Sequence, residues 1–412
     1  MKRLFSLAAL LLVSVSGLYA QESKGDIVKT GLSFGPLPVV AFDQDKGLQY
    51  GALLNIYNFA DGKNYPVPNS QWYLEASLFT KGSRLFVVNY DNRTAIPGVR
   101  FCLSGMYTYD TALDFYGFNG YESAVDPQIL STTSAYYRMS RQVPYFKADF
   151  TGNITDHLYW KAGYHFKYFK TGSFVPETGA VPTLFDLYKS TGIIPEEDAD
   201  GGISSSIRAA LMYDSRDFEP APSRGIWTEA NLEYAPSWLG TSKEYLKYYF
   251  AFRNYLPIAG DRLVFAYRLN VQGFLKDPAF YMLPYETILG YGYDKDGFGG
   301  YRTIRGIMRN RIQGRSVCYY NTELRYRFID FHLFNQNVGL AVSGFCDGGR
   351  VLLPFGNSTL ENEKFHISAG GGFRLIINRN FIVAAEYGVP FNEQDAQPGK
   401  LGSLYINTGF LF

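Results

Sequence analysis

Cys318-Tyr319-Tyr320-Asn321-Thr322-Glu323-Leu324-Arg325-Tyr326-Arg327-Phe328 separates into two faces. Even positions are apolar or amphipathic, and from Asn321 onward the odd positions are polar or charged. Period two marks a strand, because successive side chains point to opposite sides. A soluble sandwich could show this once. Here the pattern recurs at strand length along the chain: Leu158, Trp160, Ala162, Tyr164, Phe166 and Tyr168 alternate with Lys161, His165 and Lys167. The apolar face is therefore read as meeting lipid and the charged face as lining a watery lumen. The expected fold is all-β, a transmembrane antiparallel β-barrel.

Composition agrees with one large β unit rather than two or three soluble domains. The 412 residues include 34 Tyr, 33 Phe and 42 Gly, an excess that suits interfacial aromatic girdles and tight β packing. Lys2 and Arg3 precede an apolar run from Leu4 to Val15, then small residues and Ala20, the three regions of a secretory signal peptide. Residues 1–20 are read as the signal peptide and 21–412 as the barrel. No later segment holds the roughly 20 apolar residues of a membrane helix. A net charge of +1 leaves no nucleic-acid footprint.

Strands are expected near 28–42, 47–59, 70–81, 84–91, 98–110, 136–151, 156–170, 203–214, 226–236, 243–257, 261–276, 318–328, 337–348, 364–377, 380–390 and 403–412. Sixteen is an even number, as bacterial single-chain barrels require. Pro36 and Pro38 suit a first strand at a seam. With both termini periplasmic, the links after Asn153, Pro257 and Asn378 are short inner turns, and the long links near 111–135, 171–202, 277–317, 349–363 and 391–402 all fall outside. The 60–69 link is the exception, long for an inner turn.

The sixth outer loop, about 277–317, is far longer than its connection needs. It carries Gly299-Gly300-Tyr301-Arg302-Thr303-Ile304-Arg305-Gly306-Ile307-Met308-Arg309-Asn310-Arg311. Such a basic loop could wave in solvent. The next two strands, however, place Glu323 and Asp347 on the lumen parity, where an inward-folded guanidinium would form forked, charge-assisted hydrogen bonds. Gly306 would allow the sharp turn at the tip.

At these residues the chain resembles the BamA/TamA/FhaC superfamily, the bacterial surface antigen family of outer-membrane barrels. Ile304-Arg305-Gly306 is similar to the family's Val/Ile-Arg-Gly-aromatic loop tip, with Ile307 in place of the aromatic residue. Phe345-Cys346-Asp347-Gly348-Gly349 resembles its thirteenth-strand pattern, and Glu323 its twelfth-strand Glu. Tyr213-Asp214-Ser215-Arg216-Asp217, with Pro222 and Gly225, is similar to the turn after strand eight. Gly409-Phe410 with Phe412 resembles the closing strand and its C-terminal barrel signal. The resemblance implies a sixth loop locked in the lumen by Arg305, Gly306, Glu323, Asp347 and Gly349. It also implies a seam between first and last strands that opens laterally, and a location in the bacterial outer membrane. The implied function is insertion or translocation of outer-membrane or surface proteins, alone or as a subunit of a larger assembly. A passive diffusion channel is the alternative, as is a structural subunit or surface antigen without transport. With fewer than ten residues between Ala20 and the first expected strand, none of the POTRA domains that family members usually carry is expected. The expected partners are outer-membrane lipid, assembly subunits in the periplasm or outer membrane, and client proteins of unknown identity.

Other chemistry is thin. His157, His165, His332 and His366 lack a serine in any recognisable motif and read as solvated or lumen-wall residues, so no enzyme is expected. No Cys/His spacing suggests a metal, and no cofactor is implied. Cys318 and Cys346 sit on one parity of neighbouring strands. They read either as a cross-strand disulfide or, preferably, as small lipid-facing side chains.

Overall fold

The computed structural model describes residues 27–43, 47–176, 179, 181–287, 290–292, 295–397 and 399–412. The expected signal peptide lies outside these. Among the described residues, sixteen strands form one antiparallel sheet in sequential order. They are β1 (Leu32–Asp43), β2 (Gly47–Asn58), β3 (Ser70–Phe79), β4 (Arg84–Ile96), β5 (Val99–Asp114), β6 (Arg138–Asn153), β7 (Leu158–Ser173) and β8 (Gly201–Asp214). The second half is β9 (Gly225–Ala235), β10 (Tyr245–Ala259), β11 (Leu263–Phe274), β12 (Ser316–Leu333), β13 (Gln336–Leu353), β14 (His366–Ile377), β15 (Phe381–Pro390) and β16 (Ser403–Thr408).

Register confirms the faces. Glu323 lies opposite Ala266 on β11 and Phe345 on β13, and Asn321 opposite Arg268 and Asp347, so their shared parity is the lumen. Leu211, Leu232, Leu269 and Leu324 are exposed on the other face. That face is the one an acyl chain can cover. Near the inner ends of β3–β6 it carries a run of rings, Trp72, Tyr90, Phe101 and Phe150, with successive centroids 4.2, 5.7 and 6.5 Å apart, the kind of girdle expected at a membrane interface. Cys318 pairs with Arg350 and Cys346 with Thr322, so the two thiols are offset along the ladder and stand free.

The outer end is roofed by loops. Helices α1 (Pro127–Thr132) and α2 (Leu184–Ser190) start on side-chain caps: Asp126 accepts from the Gln128 and Ile129 N–H groups, and Thr183 with Asp186 forms a capping box. Phe115, Phe118, Phe185, Phe280, Tyr281 and Phe355 pack beneath them in one buried cluster. The gap left among Leu113, Phe115, Met139, Phe280 and their neighbours is about 20 Å³, room for a single water.

The seam departs from expectation at both ends. The last strand does not reach 412. It stops at Thr408, and Gly409 takes φ 87° and turns the chain into the lumen. Phe412 is buried with Tyr255, Val264 and Ala266, and Phe410 packs on Ala341, Ile376 and Ile382. In a continued strand both rings would have faced lipid. In the lumen the Arg325 guanidinium lies 4.3 Å from the Phe410 centroid and 5.0 Å from that of Phe412, and its Nη2 donates to the Phe412 carbonyl at 2.9 Å. The first strand starts later than expected, at Leu32. The chain before it runs to the base of β13, where the Ile27 N–H donates to Asn337 Oδ1 at 3.0 Å. The long 60–69 link has the same destination. Asn337 Nδ2 donates to the Tyr65 hydroxyl at 3.1 Å and Asn380 Nδ2 to the Pro66 carbonyl at 2.6 Å, tying the β2–β3 link beneath the bases of β13 and β15.

Candidate functional site

The sixth loop crosses the lumen from wall to wall. On one side Ser104 of β5 donates to the Gly292 carbonyl at 3.1 Å, and Asp149 of β6 accepts from the Gly290 N–H at 2.9 Å. Midway, a two-rung ribbon pairs Tyr285 and Glu286 with Asp296 and Lys295, and the Tyr285 carbonyl accepts from Lys247 and Gln272 of β10 and β11. On the far side Phe298, Ile304, Ile307 and Ile312 bury themselves against Val317, Tyr319 and Val351. This apolar pad fixes where the tip lands.

Thr303 stiffens the approach to the tip, its hydroxyl accepting from the Gly299 N–H and facing the Gly297 and Gly299 carbonyls. Arg305 follows, its side chain 0 % exposed. Its Nε and Nη2 fork onto Asp347 at 2.8 and 3.1 Å, while its own backbone N–H donates to Asp347 Oδ2 at 3.1 Å. Nη1 donates to Glu323 Oε2 at 3.0 Å and to Glu386 Oε1 at 2.6 Å. The guanidinium also lies 3.6 Å from the centroid of the Phe345 ring. Four guanidinium hydrogen bonds thus reach three carboxylates, which a lysine ammonium with three donors could not do.

Three carboxylates converging in a dry lumen need more than one cation. Arg374 supplies a second, 2.8 Å from Glu323 and 2.7 Å from Glu386, and Arg325 a third, 3.2 Å from Glu323. Three guanidinium groups against three carboxylates make the cluster neutral, so its desolvation is compensated internally. Each charge holds the others.

Backbone contact completes the lock. Gly306 has φ 92° and donates its N–H to the Tyr405 hydroxyl at 3.0 Å. A methyl on Gly306 would come within 2.8 Å of the Gly388 carbonyl carbon, and a methyl on Gly388 within 2.8 Å of the Gly306 nitrogen. The loop tip therefore rides directly on β15. A methyl at Gly349 would lie 2.5 Å from Ile304 Cδ1, so that glycine leaves room for the pad.

Arg305, Gly306, Glu323, Asp347 and Gly349 thus converge in one place. Glu386, Phe345, Arg374 and Gly388 join them, and sequence reading did not put them at this site. Only the alternation of β14 and β15, which sets Arg374 and Glu386 on the lumen parity, hinted at their inclusion. The strand-eight turn lies elsewhere. There Arg216 forks onto Asp214, its Nε and Nη2 donating at 2.9 and 2.7 Å, and Asp217 accepts from the Phe218, Ser223 and Arg224 N–H groups. Gly225 has φ 104°, and a methyl on it would come within 2.3 Å of the Ser215 carbonyl oxygen. Two histidines are more deeply buried than solvated residues would be. His165 contacts Asp149 at 2.8 Å; His366 contacts Asp395 at 2.7 Å and stacks on Tyr121. Their neighbours here are carboxylates rather than a serine nucleophile.

A profile described as the Omp85 superfamily domain matches residues 131–412. Among solved structures, BamA from Haemophilus ducreyi lacking POTRA domains 1–3 superposes with a TM-score of 0.55 at 15 % identity, covering 92 % of this chain and 70 % of that one. CdiB from Escherichia coli superposes with a TM-score of 0.60 at 10 % identity, covering 95 % of this chain and 66 % of that one. At such identities the likeness is one of fold. No curated protein matches the chain by sequence.

Proposed function

The chain belongs to the Omp85 superfamily of bacterial outer-membrane β-barrels, whose members insert or translocate proteins, and from that premise we propose that it performs such a step for outer-membrane or surface proteins within a larger assembly. Residues 1–20 would serve as its secretory leader and 21–412 as its barrel. The observation that carries this reading is the buried Arg305, held by Asp347, Glu323 and Glu386 and joining the sixth loop to the wall on which the last two strands hang. A barrel that only passes solutes has no need of a loop tip anchored by five hydrogen bonds from one residue. The loop also fills the lumen a diffusing solute would use, and the aromatic roof covers its outer end.

In this reading Arg305 keeps β12–β15 in one arrangement while the short β16 is free to part from its neighbours. Depletion of the protein followed by outer-membrane proteomics tests it. Other barrels or surface proteins should fall in abundance within a few generations. An unchanged outer-membrane proteome, with only small-solute uptake altered, would replace the proposal with a channel.

A further inference from the structure

The turn after β8, residues 215–224, is ten residues long where an inner hairpin turn usually needs two to five. It is stiff, because the Asp217 carboxylate gathers three backbone N–H groups across it. It also reaches sideways. The Glu219 carboxylate reaches β5 and β4, three and four strands from its own hairpin, where Arg100 Nη1 donates to its two oxygens at 3.1 and 3.0 Å and Arg93 Nη2 touches it as well. Arg100 is itself braced, forking onto Asp91 at 2.7 and 2.8 Å. In the other direction Ala221 packs on Ala341, Ile376 and Ile382 of β13–β15, the cluster that also receives Phe410. Contacts on two well-separated arcs of one sixteen-stranded ring place this turn across the periplasmic mouth.

We infer that residues 215–224 form a gate over the inner mouth of the barrel, seated by Glu219 on Arg93 and Arg100 and joined through the Ala341–Ile376–Ile382 cluster to the tail that leaves the last strand. The inference deepens the proposed function and rests on it only for what passes the mouth. Its seat is built to release. Glu219 is 40 % exposed and Arg93 28 % exposed, whereas the Arg305 pairs are 0–1 % exposed. Water and salt therefore reach the gate anchor and not the loop lock. Desolvation pushes the Glu219 carboxyl up, but the Arg100, Arg93 and Arg216 guanidinium groups outweigh it and hold the carboxyl well below the ordinary carboxylate range. At neutral pH the seat is occupied. Opening the gate would draw Ala221 off the surface that supports Phe410, loosening the tail at the same moment that the mouth clears.

Cys102 offers a native reporter. It is 1 % exposed, faces the lumen two residues beyond Arg100, and its Sγ donates to Asp91 at 3.3 Å. In a Cys318→Ser, Cys346→Ser background, the quantity measured is the ratio of Cys102 labelling rates for a bulky polyethylene-glycol maleimide and a small methyl-transfer thiol reagent. Division by the small reagent removes changes in intrinsic thiol reactivity. Glu219→Arg should raise the ratio roughly three- to fivefold, the scale of a lost, partly exposed ion pair. Adding Arg93→Glu, which leaves the Arg100–Asp91 fork in place, should bring it part of the way back. The barrel with its native gate sequence provides a variant-free arm: raising salt towards about 1 M, where the screening length is about 3 Å, should raise the ratio in the same direction. Heat-modifiability on gels establishes that each variant is folded, and should one fail, the salt series alone decides. A ratio indifferent to salt and to Glu219→Arg in folded protein would overturn the gate. Neither arm reads insertion, so loss of the gate and loss of the proposed function are separate results.

Discussion

The wall made by β12 and β13 and the edge made by β16 belong to one sheet and obey opposite rules. The first two strands are eighteen residues each and carry Glu323 and Asp347 beneath a guanidinium. The last is six residues long, pairs with Val383–Gly388 of β15, and then gives way to a tail inside the lumen. Rigidity is concentrated where the loop is locked, and the edge is left with few ladder hydrogen bonds. A sheet of uniform strands could not open at a chosen place. Under the proposed function, the long wall would fix the shape and the short strand would be the place to open.

The largest effect should come from breaking the lock. Arg305→Ala leaves Asp347, Glu323 and Glu386 converging with one fewer cation. Removing one partner of a buried charge network typically costs about 3–5 kcal/mol. The cost falls on loop docking, since the ladders of β12 and β13 do not depend on Arg305. The variant should remain heat-modifiable while the sixth loop becomes cleavable by protease added from outside. Arg305→Lys should recover little, because an ammonium cannot fork on Asp347 and reach two further carboxylates. A loop as protected as in the parent would show that the Phe298–Ile304–Ile307–Ile312 pad alone holds it.

The second test addresses the edge. Amide exchange of β16 in the folded barrel should be faster than that of β12 and β13 by several orders of magnitude, as fraying and core segments commonly differ. Asn380→Ala removes the 2.6 Å bond to the Pro66 carbonyl that ties the β2–β3 link beneath the seam. One hydrogen bond contributes about 1 kcal/mol, so this variant should speed exchange in β1 and β16 and leave β12 and β13 alone. Equal protection across all four strands would remove the distinction between wall and edge.

Alternation made the strands and their faces legible, because a two-residue period survives any error in strand ends. Arg305, Glu323 and Asp347 were legible for the same reason: two lumen carboxylates on adjacent strands call for a cation, and the loop between β11 and β12 supplies one. Glu386 was visible as a lumen carboxylate but not as the third acceptor, since β15 meets the loop tip only once the sheet has curled. Phe410 and Phe412 were placed on a last strand running to 412, but that strand ends at Thr408 because Gly409 takes a positive φ, and alternation carries no memory across such a turn. The 60–69 link looked too long for a turn. Its length is explained by Tyr65 and Pro66, whose partners lie some three hundred residues away. Glu219 gave no signal, as its seat is on strands three and four places around the ring.

The smallest expected effect distinguishes the gate from the lock by acid. Glu219 has a carboxyl held below its ordinary value in the folded barrel, so its ion pairs stabilise the closed gate fully above the unfolded value of about 4.3. That contribution falls as pH drops through the folded value, and the sign is fixed: acid loosens the gate and alkali does not. Because the side chain is 40 % exposed, the change should stay below about 1 kcal/mol. A spin label on Ala221→Cys, in a background without the three native thiols, reads it directly. Label mobility should be flat from pH 8 to 5.5, rise between about pH 5 and 2, and be high and pH-independent when Glu219→Gln is added. Mobility changing instead around neutrality would assign the motion to another group and leave Glu219 a passive surface charge.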